Sequence, residues 1–141
     1  MDAKIHFLVV NDSDAMRRVI VALLKEIGYF KVSIAEDGEM ALRALKAAKA
    51  VGAAVDFLIT DCSMPLMNGL ELVRSIRDGG AALPILMMTT VATEDNLRAA
   101  LEAGVDSYYV QPFKARSFRK KVETLLVEKG LKQRVLEMGV L

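Results

Sequence analysis

Ile5-His6-Phe7-Leu8-Val9-Val10-Asn11-Asp12 is apolar at every one of its first six positions except His6, then stops at an amide and a carboxylate. A strand with one wet face alternates apolar and polar residues. A strand covered on both faces does not, so this run predicts a central strand of a parallel sheet. Residues 56–60, 84–89 and 107–110 read the same way. Residues 31–35 are weaker and partly alternating, as suits a sheet edge. Between these runs the period changes. Met16, Val19, Ile20, Leu23, Leu24 and Ile27 recur at steps of three and four, which makes one helical stripe. Ser13 or Asp14 can cap its start, and Gly28 can supply the left-handed residue at its end. Further helices are expected over 40–49, 68–77, 93–103 and 115–129.

Strand and helix thus alternate five times. That pattern predicts an α/β fold, a doubly wound five-stranded parallel sheet with five helices divided between its faces. Right-handed crossovers restrict the topology, and ligands of such folds bind at the carboxyl ends of the strands, where strand order reverses.

The chain has 141 residues, 53% hydrophobic and 26% charged, which is one domain's worth with a core that needs no staple. A single cysteine, Cys62, excludes an internal disulfide framework and a multi-cysteine zinc site, and fits a reducing compartment. No apolar run approaches the ~20 residues of a membrane span, and the short run after residue 4 does not read as a signal peptide. A cytoplasmic protein with no membrane insertion is the expectation. The net charge of +1 argues against a strongly basic nucleic-acid binder. That total conceals an asymmetry. Residues 1–110 hold 11 basic and 15 acidic side chains, a net −4, and residues 111–141 hold 8 and 3, a net +5.

The residues just past the strands are the candidate site: Asn11 and Asp12, then Asp61, then Thr89 and Thr90, then Gln111 and Pro112. Two carboxylates meeting at one sheet end repel each other, and a hard divalent cation relieves the repulsion. Mg²⁺ binds through one or two carboxylates and keeps several waters, so Asp12 and Asp61 suit it. Plainer roles remain open: Asp12 as a helix cap, Asp61 as a turn residue, Thr89 as an ordinary strand end, Tyr108 as half-buried packing.

Leu8-Val9-Val10-Asn11-Asp12, Asp61-Cys62-Ser63-Met64-Pro65 with Asn68-Gly69, Met88-Thr89, and the stretch from Tyr108 to Pro112-Phe113 together resemble the receiver domain of bacterial response regulators. Met16-Arg17-Arg18 and Ala35-Glu36-Asp37-Gly38 are most similar to its single-domain chemotaxis (CheY-like) type. The resemblance spans roughly residues 4–130. It implies the flavodoxin-like strand order 2-1-3-4-5 and a phosphorelay role: a two-component response regulator that signals by protein–protein binding. It also implies roles for single residues. Asp61 matches the aspartate that takes a phosphoryl group from a histidine kinase, acting as a nucleophile. Asp12 and the backbone carbonyl of Ser63 match Mg²⁺ ligands, with Asn11 contributing through a water. Thr89 and Tyr108 match the hydroxyl and the aromatic ring that move together on activation.

Two positions depart from the family. Its acidic pair after the first strand is here Asn11-Asp12, and its lysine before Pro-Phe is here Gln111, which hydrogen-bonds but carries no charge. Three carboxylates with one lysine sum to the same −2 as two carboxylates without one, so the paired changes keep the pocket's charge. The loss of a charge-assisted contact predicts slowed phosphorylation or altered switching. Ser63 and Val91 lie two residues beyond Asp61 and Thr89, on the path of a hydrolytic water in the family. Val91 offers that water no polar group, so slow self-dephosphorylation follows.

Lys114, Arg116, Arg119, Lys120 and Lys121 gather at the start of the fifth helix, where they oppose the macrodipole. They read either as a solvated basic face or as an output face meeting an acidic partner segment, for instance of the flagellar motor. Residues 1–130 form the expected receiver domain and 131–141 a short extension, with Leu131, Val135 and Met138 at helical spacing. This extension lengthens the last helix, packs back or makes a dimer contact, so a monomer or weak dimer is expected. No DNA-reading segment is recognised in the chain, so direct gene control is not expected. His6 and Cys62 read as packing rather than as reactive groups, and Gly38 and Gly69 as turn formers. The alternatives to the phosphorylated regulator are an atypical receiver that binds partners without phosphorylation, suggested by Asn11 and Gln111, and a metal-dependent enzyme, for which a second base is missing.

Overall fold

A computed structural model describes residues 4–90, 93–110 and 112–132. Five strands alternate with five helices: β1 (Phe7–Val10), α1 (Asp14–Glu26), β2 (Val32–Ala35), α2 (Gly38–Ala50), β3 (Phe57–Thr60), α3 (Gly69–Asp78), β4 (Ile85–Thr89), α4 (Glu94–Ala103), β5 (Ser107–Val110) and α5 (Ala115–Glu128). The sheet is parallel throughout, in the order β2-β1-β3-β4-β5. Chain order therefore reverses between β1 and β3, and the loops after those strands meet there.

The runs without alternation are the strands buried on both faces. Phe7, Val9 and Ile59 join α1 and α5 residues such as Ile20, Leu24, Phe118 and Val122 in one core. Leu8, Val10 and Leu58 join α2, α3 and α4 residues such as Ala41, Leu72 and Ala100 in the other. The weak alternation of 31–35 has its cause in the edge position of β2. Residues 107–110 differ from their reading as a covered strand: β5 is the other edge, and only Tyr109 is buried.

Caps fix the helix starts. Ser13 accepts from the Met16 amide, Asp37 from Met40 and Thr93 from Asn96, and Asn68 with Glu71 forms a reciprocal capping box. α5 lacks such a cap; Lys114 holds the position without a side-chain bond. The sheet's lower rim is held by ion pairs. Arg77 donates to the Leu83 and Gly104 carbonyls and to Asp106, which also takes Lys129 and the Ile85 amide. His6 lies just before β1 and is packed as expected. Its Nδ1 meets the Ala53 carbonyl at 2.9 Å, so that nitrogen carries the proton, and its Nε2 meets the Ser33 hydroxyl at 2.7 Å.

After α5 the chain turns back. Gly130 takes φ 75°, and the Leu131 and Lys132 amides both donate to the Leu126 carbonyl. The last helix therefore does not continue straight through 131–132. Lys132 pairs with Glu123 and donates to the Tyr29 hydroxyl at 3.3 Å. Val135 and Met138 lie outside the described residues.

Candidate functional site

Parallel register sets the ends of β1, β3 and β4 level, and the residues that follow them close a cleft of about 210 Å³. Its lining includes Asn11, Asp12, Asp61, Thr89 and Thr90, with Met16 and Phe113 as apolar walls. Five of the residues singled out from sequence, Asn11, Asp12, Asp61, Thr89 and Thr90, therefore share one cavity. Asp12 is exposed and caps nothing; Ser13 takes that role, which removes the plain reading of Asp12.

Asp61 is half-buried, and its Oδ1 accepts the Cys62 amide at 2.7 Å. Burial raises its carboxyl pKa above the ordinary value; the Cys62 amide opposes this, the Asp12 charge adds to it, and the Ser63 amide opposes it again. The two carboxylates thus sense each other, the condition that favours a cation between them. No cation is bonded to either among the described residues. An open pair of carboxylates lining one cleft fits a hard divalent ion that keeps part of its water.

Asn11 is buried and has structural work. Its Oδ1 accepts the Ser13 amide at 2.9 Å, and its backbone carbonyl accepts Arg17 Nη1 at 2.7 Å. The amide thereby shapes the β1–α1 turn that presents Asp12. Thr89 is 2% exposed at the end of β4. Tyr108 lies across the β4–β5 pair and is half-buried. Burial raises its phenol pKa, and the Cys62 and Asp61 charges raise it further, so the ring oxygen lies within electrostatic reach of the site. The Cys62 thiol is likewise raised, by burial and then by Asp61, which is the reverse of an activated cysteine. Gln111 and Val91 lie outside the described residues.

Three contributors escape a sequence reading. Gly69 is no turn former: a Cβ there would sit 2.1 Å from the Asp61 carbonyl oxygen, and its amide donates to Cys62 O at 2.8 Å. Only a bare backbone lets α3 start this close to the strand end. Arg17 is 8% exposed and holds the Asn11 carbonyl; its signal was a cation on the stripe that carries Ile20 and Leu24. Tyr109 ties the β5–α5 loop, its hydroxyl accepting the Lys114 amide at 2.9 Å and donating to the Lys114 carbonyl at 3.2 Å. Lys114, Arg116, Arg119 and Lys120 are all exposed on the first turns of α5, but Arg119 is paired to Glu123 at 2.8 Å, so the basic face is partly neutralised.

Residues 7–123 match the model of the response regulator receiver domain. The chemotaxis protein CheY of Pseudomonas aeruginosa is 38% identical over 120 residues, covering 84% of this chain and 93% of that protein. The chemotaxis protein CheY1 of Helicobacter pylori is 41% identical over 121 residues, covering 84% and 94%. Among solved structures, Vibrio cholerae chemotaxis protein CheY4 superposes with a TM-score of 0.75 at 32% identity, covering 86% of this chain and 98% of that one. The flavodoxin-like order and the five helices are shared with these neighbours. The chain belongs to the response regulator receiver family, as a CheY-like response regulator of two-component signalling, a regulatory signalling family.

Proposed function

We propose that Asp61 is the phosphoacceptor and that Asp12, Asp61 and the Ser63 backbone carbonyl hold Mg²⁺, with Asn11 touching it through a water. The observation that carries this reading is the shared cleft, in which two mutually repelling carboxylates adjoin the buried Thr89 hydroxyl and have no bonded cation among the described residues. A carboxylate oxygen of Asp61 attacks phosphorus of a phosphohistidine on a histidine kinase. The P–O bond forms as the P–N bond breaks, and the imidazole leaves. Mg²⁺, when bound, supplies charge neutralisation for the phosphoryl oxygens. Hydrolysis of the aspartyl phosphate by water regenerates Asp61, slowly if Val91 offers the water no polar partner.

The phosphoryl group adds negative charge beside Thr89 and draws its hydroxyl, and the half-buried Tyr108 ring follows. Gln111 brings an uncharged amide where the family has a lysine, so the switch is weaker than usual. The change is read on the α5 side, where Lys114, Arg116, Arg119 and Lys120 meet an acidic segment of an output protein such as a flagellar motor component. The protein works in the cytoplasm without nucleic acid, as a monomer or weak dimer; no described helix is long and apolar enough to cross a membrane. Residues 1–130 act as the receiver. Residues 131–141 are an extension tied down at its start, a reading supported by Lys132 on Tyr29 and Glu123.

A beryllofluoride titration followed by amide NMR tests the proposal. With Mg²⁺ present, signals of Asp61, Thr89 and Tyr108 shift; without it they do not. Absence of shifts with Mg²⁺ makes the protein a phosphorylation-independent binding module.

A further inference from the structure

Parallel sheets are normally covered on both faces, because the crossover helices lie there. Among the described residues, one corner of this sheet is not. On the α1 side of edge strand β2, Ile34 is 50% exposed and Val32 is only partly buried. Together with Val21 they floor a groove of about 460 Å³ between α1 and the sheet edge. Its wall carries Arg17, Arg18 and Lys25.

The charge there is unbalanced. Asp14 alone serves two guanidiniums, Arg18 at 2.7 Å and Arg17 at 3.2 Å. Lys25 has no ion pair among the described residues, and Arg17 Nε is a buried donor without a hydrogen bond. Arg18 and Lys25 stand seven positions apart, two turns along one side of α1. An apolar floor flanked by cations at two-turn spacing is complementary to a helix with an apolar stripe and acidic flanks.

We propose that this groove is a docking site for an acidic amphipathic helix of a partner protein, laid beside α1 over Val32 and Ile34. The site is separate from the Asp61 cleft and from the basic start of α5. Docking completes the helical layer that α1 and α5 leave open at the β2 edge.

The probe is a synthetic helix of roughly four turns, with leucines at every third or fourth position and glutamates on both flanks, titrated into the full chain. Amide shifts are expected at Val21, Lys25, Val32 and Ile34. A lysine-flanked version of the helix should bind roughly tenfold more weakly or worse, as should the acidic helix to Arg18→Glu/Lys25→Glu. Ile34→Ser should weaken the acidic helix similarly while its unbound amide spectrum stays native. Lys46→Glu/Lys49→Glu, at exposed positions of α2, should leave the shifts at Val32 and Ile34 unchanged. The proposal is overturned if the two helices bind alike, or if the shifts fall on α5 instead. It is also overturned if the free chain dimerises in solution through this face and Ile34→Ser makes it monomeric, because the occupant is then a second copy.

Discussion

At the amino ends of the strands, Asp106 receives Arg77, Lys129 and the Ile85 amide, and both ring nitrogens of His6 have partners. At the carboxyl ends, Asp12 and Asp61 share a cleft without a bonded cation among the described residues, and Arg17 keeps an unsatisfied Nε. The two ends belong to one sheet and are built from similar residue types. The lower end spends its charges on internal bonds and gains stability. The upper end leaves charge open, at some cost to the fold; under the proposed function that charge serves an incoming ion and phosphoryl group. Substitutions at the two ends should therefore act on different quantities.

The largest expected loss of stability is at the lower end. Asp106→Ala strips Arg77 and Lys129 of a shared partner and leaves the Ile85 amide unbonded; urea unfolding should show a loss of about 3 kcal/mol. Phosphorylation per folded molecule should be unchanged. If uptake falls while stability holds, the two ends are not separable in this way.

Gly69→Ala places a carbon against the Asp61 carbonyl and should act on both quantities. A loss of about 2 kcal/mol is expected from overpacking, with a displaced Asp61 loop and reduced phosphoryl uptake. A wild-type rate with unchanged stability would show that α3 can retreat freely.

Asp61→Asn should abolish uptake and stabilise the fold. The raised pKa of Asp61 means that the folded state holds its proton more tightly than the unfolded chain does. That contribution is complete below the ordinary carboxylate pKa and is lost as pH rises through the raised value. The advantage of the variant over wild type should therefore be absent in acid and grow toward neutral pH, as read from thermal midpoints. Mg²⁺ should narrow the gap by stabilising only the wild type.

Glu123→Gln should have the smallest effect. Burial alone would raise the Glu123 pKa, but hydrogen bonds from Lys132 and Arg119 hold it below the ordinary value. Its stabilisation is present above the unfolded pKa and fades as pH falls through the lower folded value. A few tenths of a kcal/mol at neutral pH is expected, vanishing in acid.

The same division explains what could be read from sequence. The fold was legible because uninterrupted apolar runs, helical stripes and caps are local signals, and all ten elements lie within a few residues of where those signals put them. The site's carboxylates and hydroxyls were legible because each ends a strand. The Arg77–Asp106–Lys129 hub was not: three charged residues on separate elements leave no periodic trace. Gly69 looked like a turn glycine because a close backbone approach has no signature in the chain. The burial of β5 was overread because Ser107-Tyr108-Tyr109-Val110 carries large residues at an edge that only the strand order reveals.

The central claim is that the open charge at the upper end exists to receive a phosphoryl group. Incubating the protein with acetyl phosphate and reading its intact mass tests this most directly. The account predicts one added phosphoryl group per chain, dependent on Mg²⁺, absent in Asp61→Asn and strongly reduced in Asp12→Asn. An unmodified mass with Mg²⁺ present, or a phosphoryl group that persists in Asp61→Asn, would contradict it.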